Sequence, residues 1–231
     1  MILNSYRSRI RLCVVVASLW MATYSANAQV VISNADYILS IHDSGRIAHI
    51  QLPTVEYTNW AYGNQTLADR TNMAKRLYAS FQDVFDFIML INDEDTLLGG
   101  SYGTHYGIKN DISGLGKTIY DNTAQYGSTG MLQGLIHLGQ KSGLTGGPSV
   151  HEISHRWAQY LVSVPTEVSG HWGYSSAGGQ LGGWKHGTLV DLGGGQYDAD
   201  GPSGGTSWGS NANGGNGIPY SDIELYLMGV I

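Results

Sequence analysis

Apolar and polar positions alternate along residues 31–50. Tyr37, Leu39 and Ile41 stand on one side of Asp43-Ser44-Gly45-Arg46, and Ile47 and Ile50 follow on the other. A period of two interrupted by a turn-forming cluster predicts a β-hairpin. Over residues 66–82 the spacing changes: Leu67, Met73, Leu77 and Phe81 recur at helical intervals. The run Phe85-Asp86-Phe87-Ile88-Met89-Leu90-Ile91 is short, apolar and bounded by polar residues, the pattern of a buried strand. Residues 99–130 are rich in Gly, Tyr and Asn and are expected to be irregular or short-stranded. Residues 131–138 are apolar again and read as a further strand.

Gly146-Gly147-Pro148 then breaks the chain, and a helix is expected from Pro148 to about Val162, before Pro165. Within it Ile153, Trp157 and Leu161 form an i, i+4, i+8 stripe that should face the core. His151 and His155 are offset from the stripe and should face a cleft. Residues 170–217 are Gly-rich, with Trp172, Trp184 and Trp208 spaced through them, and show no helical pattern. So long a stretch suggests a functional loop region. Helical spacing resumes from Tyr220 to Met228. The chain ends abruptly on an apolar segment, which suggests a truncated sequence.

The N-terminal residues carry a different pattern. Arg7, Arg9 and Arg11 precede an apolar run over residues 12–22, and Ala26-Asn27-Ala28 forms a small-x-small site before Gln29. This is the arrangement of a secretory signal peptide over residues 1–28, too short to span a membrane and expected to lie outside the fold. Its removal leaves nine Lys and Arg against 18 Asp and Glu, a net charge near −9. Such a chain is a poor partner for nucleic acid, which needs basic patches. The only cysteine, Cys13, leaves with the leader, so the mature chain has no disulfide. About two hundred residues can bury a core without one. Secreted or periplasmic localisation follows, with no stable membrane insertion.

The chemistry centres on His151-Glu152-Ile153-Ser154-His155, a single H-E-x-x-H. Residues four apart share a helical face, so two imidazoles reach one metal ion and the Glu serves as base toward a water. With this composition the motif arises by chance in roughly 0.6 per cent of such chains. By contrast, Gly205-Thr206-Ser207-Trp208-Gly209 matches the serine hydrolase elbow, of which roughly 0.4 chance matches are expected, and it lacks the strand and helix that an elbow needs. Asn92-Asp93-Glu94-Asp95 is a cluster suited to calcium, but a solvated turn is the stronger reading.

A catalytic zinc site needs a third protein ligand. Six residues beyond His155 stands Leu161, and Ala158 occupies the place of the glycine in H-E-x-x-H-x-x-G-x-x-H. The extended motif is therefore absent. His171, in Ser169-Gly170-His171-Trp172-Gly173, is the first candidate. Glu224 is the alternative, although Ser221-Asp222-Ile223-Glu224 is also a capping box. Glu167 and His186 are weaker candidates. His42, His105 and His137 read as surface or satisfied core histidines. Tyr174, Tyr220 and Tyr226 are candidates to stabilise an oxyanion, with Tyr226 preferred.

The pentad HEISH, the apolar strand segments before it, GHWGYSSAGGQLGG and YSDIELYLMG together resemble the zincin metallopeptidases, in particular secreted bacterial zinc-peptidase-like proteins with a His-Trp loop and an LYLMG segment. The resemblance spans residues 80–229. It implies an α+β fold, with an active-site helix under a twisted mixed sheet and a Gly-rich irregular C-terminal part, as one domain over residues 29–231. It implies Zn2+ on His151 and His155, Glu152 as base, and a peptide or protein substrate. The expected function is a secreted zinc endopeptidase. The rival is a non-catalytic module that binds glycan or protein through exposed Trp172, Trp184 and Trp208, with a degenerate or structural metal site.

Overall fold

The computed structural model describes residues 12–19 (backbone only), 30–42, 47–161, 170–201 and 215–231. Glu167, the serine-elbow match with Trp208, the hairpin turn and most of the predicted leader lie outside the described residues. The strands are β1 (Leu12–Leu19), β2 (Val30–Ser33), β3 (Ile38–His42), β4 (Ile47–Leu52), β5 (Phe87–Asn92), β6 (Gly103–Gly107), β7 (Lys109–Asn110), β8 (Tyr120–Asp121), β9 (Gly134–Leu138), β10 (Val190–Gly193) and β11 (Gln196–Asp198). The helices are α1 (Thr54–Ala61), α2 (Leu67–Tyr78), α3 (Ser142–Thr145), α4 (Ser149–Ser154) and α5 (Asp222–Leu227). The class is α+β.

Seven strands form one mixed sheet in the order β2-β3-β4-β1-β5-β9-β6. The inner four, β4-β1-β5-β9, run parallel, and β2, β3 and β6 complete the edges by antiparallel pairing. All residues of β5 and β9 are buried, which accounts for their mainly apolar sequence. The hairpin expected around residues 43–46 is β3–β4, with Leu39 opposite Ile50 and Ile41 opposite Ala48. Period two places Ala48 and Ile50 inside and turns Ile47 toward solvent.

Strand β1 consists of residues from the apolar core of the predicted leader. In the full chain it pairs with β4 and β5.

Helices α1 and α2 pack on the sheet. Tyr57, Trp60 and Ala61 of α1 and Met73, Ala74 and Leu77 of α2 share a core with Leu39, Ile50, Leu52, Ile88, Leu90 and Leu135. Thr66 starts α2: its hydroxyl accepts from Asp69 N–H, and Asp69 accepts from Thr66 N–H. The Asn92–Asp95 cluster is a turn whose groups are taken by protein partners. Lys141 pairs with Asp93 and Asp95, Tyr57 donates to Glu94, and Asn92 is buried against His137.

The chain groups into two compact units. One comprises Ile10–Asp111 and Ile119–Thr145 and holds the large sheet; the other includes Ile112–Thr118 and Gly146–Ile231. In the second, the exposed hairpin β10–β11 accompanies α4 and α5. Among the described residues no helix is long and apolar enough to cross a membrane.

Candidate metal centre

The expected helix over 148–162 is shorter than its periodicity suggests. Regular α geometry ends at Ser154, and the chain continues through tighter turns, with Arg156 N–H donating to Ile153 and Trp157 N–H to Ser154. Gln159, at φ 137°, stops any further winding. The apolar stripe is correspondingly incomplete: Trp157 is buried, but Ile153 and Leu161 are only partly so. His151, Glu152 and His155 are buried, as are Ser154, Arg156 and Ala158 around them. The two histidines are therefore buried side chains.

His171 joins them. Its Nε2 lies 2.9 Å from Nε2 of His151, which lies 3.1 Å from Nε2 of His155. The three form a cluster able to hold a metal ion. The loop that delivers His171 is fixed on both sides. Before it, Gly170 adopts φ 83°, where a side chain is strained. After it, Trp172 is fully buried with Ala158 and Leu181, and its N–H donates to Leu181. Burial of Trp172 also removes it from the exposed aromatic groove expected of a glycan-binding module. Trp184 is partly buried.

The outer nitrogens of two imidazoles are fixed by acceptors. His151 Nδ1–H donates to the Gln180 carbonyl, and His155 Nδ1–H donates to Oε1 of Gln159. A carbonyl oxygen can only accept, so each Nδ1 carries the proton of the neutral ring and each Nε2 presents a lone pair. Two lone pairs facing one another at 3.1 Å repel unless a cation or a proton lies between them. Tetrahedral zinc with nitrogen ligands at 2.0–2.1 Å sets those ligands about 3.3 Å apart, close to the two spacings made by His151, and all three ligand atoms lie within 4.8 Å of one another. Burial pushes the His151 imidazole down to about 4, with the neighbouring His171 adding to the fall against the opposing Gln180 bond, so the ring is neutral at pH 7. The donor set thus fits a borderline metal such as zinc.

Glu224, the alternative third ligand, is not at this point. Its carboxylate is fully buried and accepts from the backbone N–H groups of Gln180, Leu181 and Ser221 and from the Ser221 hydroxyl. The capping box therefore prevails, extended by a grip on the 180–181 backbone.

Tyr226 is not an inward-facing oxyanion donor. It is 70% exposed, and two residues along a helix from buried Glu224 is the opposite face. Tyr174 is also exposed, while Tyr220 donates its hydroxyl to the Val150 carbonyl at the start of α4. His186 is exposed on its loop. His137 is a satisfied core histidine, held by Asn92 and Gln65.

Sequence reasoning overlooked Gln159 and Gln180. Gln159 stands four residues after His155, a spacing that carries the signal. Gln180 acts through its backbone carbonyl, for which no side-chain pattern exists. Comparison of the chain with family models, with curated proteins and with solved structures returns no match.

Proposed function

We propose that this chain is a secreted zinc-dependent endopeptidase. The observation that carries the reading is the convergence of three imidazole nitrogens, two of them with the outer nitrogen already bound to an acceptor. That combination of inner ligand and outer hydrogen bond is typical of metal-binding histidines. His151, His155 and His171 hold the ion. Zinc bound there supplies Lewis acidity toward a peptide carbonyl and makes a water acidic near neutral pH.

Glu152, buried on α4 next to His151, accepts the proton of the attacking water at its carboxylate. It then returns that proton to the amine that leaves as the C–N bond breaks. The basic residues, apolar run and small-x-small site at the N-terminus support export.

Metal analysis of the purified full chain, with casein digestion in the presence and absence of a chelator, tests the reading. Zinc near one equivalent and chelator-sensitive digestion are expected. Glu152→Gln should keep its zinc and lose at least about a hundredfold in hydrolysis. Undiminished hydrolysis by the zinc-loaded variant would overturn the role of Glu152. His171→Ala should lose zinc while Glu224→Gln stays folded and retains a weaker site.

A further inference from the structure

No hydrogen bond joins Glu224 to His151, yet the two meet on opposite sides of one peptide group. The unit joining Gln180 to Leu181 has its C=O on His151 Nδ1–H and its N–H on Glu224 Oε1, the latter at 2.7 Å. We propose that Glu224 is a positioning residue for His151, acting through the Gln180–Leu181 peptide. This inference rests on the reading of His151 as a metal ligand.

The physical argument has two parts. First, a peptide N–H that donates to a carboxylate polarises its own C=O, which becomes the stronger acceptor. The Gln180 carbonyl then holds the His151 ring in the Nδ1-protonated tautomer and raises the donor strength of Nε2, as a carboxylate does when bonded directly to a metal-binding histidine. Second, the carboxylate fixes where the peptide sits. Oε2 also accepts from Gln180 N–H at 3.1 Å and from Ser221 N–H at 2.6 Å, so the start of α5 and the 180–181 backbone are tied to the same group.

The fit leaves no slack. A Cβ on Gly179 would stand 2.0 Å from Glu224 Oε2, which accounts for a glycine there. The Gln180 side chain anchors the same segment from the other side by donating to the carbonyls of Ile218 and Gly215. The peptide is therefore gripped on the two sides that decide the direction of its carbonyl.

The test compares two variants of the full chain that cut different arms of the carboxylate. Glu224→Gln is nearly isosteric but offers one accepting oxygen in place of two. Ser221→Ala removes the hydroxyl from Oε2 and leaves the peptide arm intact. Zinc affinity is measured by chelator competition, and the His151 ring nitrogens are followed by NMR in metal-free protein. Glu224→Gln should weaken zinc binding by about ten- to a hundredfold and shift the His151 Nδ1–H resonance upfield. Ser221→Ala should lower the melting temperature while leaving zinc affinity and that resonance unchanged. Equal effects of both variants on affinity, or zinc binding by Glu224→Gln within about twofold of the parent, would overturn the proposal.

If Glu224→Gln does not fold, the wild-type spectrum still decides. An Nδ1-protonated His151 supports the relay, and an Nε2-protonated one overturns it. If the parent chain binds no zinc but shows the Nδ1-protonated ring that Glu224→Gln shifts, the relay stands and the endopeptidase reading fails.

Discussion

His137 shows how burial alone sets a residue's behaviour. Its ring lies edge-on to Trp60 at 5.2 Å, accepts from Gln65 and donates to Asn92, and burial pushes it from 6.5 down to about 4. Between those two pH values the unfolded chain binds a proton that the native ring refuses, so stability falls as pH drops through that window and levels off below it. The effect amounts to at most about 3 kcal/mol. Denaturant titrations from pH 7 to 4 should show a shallower loss in His137→Gln than in the parent; parallel curves would remove the assignment. Gly170 offers a second residue-scale prediction. A Cβ there would stand 2.3 Å from Gln159 Oε1, the acceptor for His155. Gly170→Ala should cost about 1 kcal/mol, from its positive φ, and weaken zinc binding about tenfold as the Gln159 amide is displaced. Both readouts can be taken from one melting series with and without zinc.

At the scale of elements, legibility followed the length and regularity of the pattern. Helix α2 was readable from spaced apolar residues, of which Met73 and Leu77 are buried, although it ends at Tyr78, short of Phe81; the structure adds a capping box at Thr66. Thr66→Ala should therefore cost about 1 kcal/mol and lower the melting temperature without touching zinc affinity. Strands β5 and β9 were readable because parallel strands buried on both faces leave mainly apolar runs. Helix α1 was missed: its buried Tyr57, Trp60 and Ala61 stand at i, i+3 and i+4, too few for a periodic signal amid polar neighbours. The motif helix was overextended because Ile153, Trp157 and Leu161 keep helical spacing past the point where Gln159 turns the chain. The histidine cluster was legible from H-E-x-x-H and a later histidine, but the hold on it was not. Gln180 contributes a carbonyl, and Glu224 acts from 44 residues further along the chain.

At the scale of the molecule, β1 and an export leader make opposing demands on the same residues. A chain cleaved after Ala28 has lost the strand between β4 and β5. Both neighbours run parallel to β1, hence parallel to each other, and α1 and α2 already connect them as a crossover. They can close directly without reversing either strand. Residues 29–231 expressed alone should accordingly unfold cooperatively, with the amides of β5 protected from hydrogen exchange. Unprotected β5 amides and aggregation would make β1 indispensable. The unit carrying the histidines is built differently. Its described regular structure is two six-residue helices and a short exposed hairpin. A divalent ion held by His151, His155 and His171 would act there as a removable staple, joining positions sixteen residues apart along the chain. Zinc at a hundredfold over its dissociation constant would add about 2.7 kcal/mol to folding. Export would then be coupled to metal supply: a chain reaching a zinc-poor compartment would be the easier prey of other proteases, and its lifetime would report the metal around it.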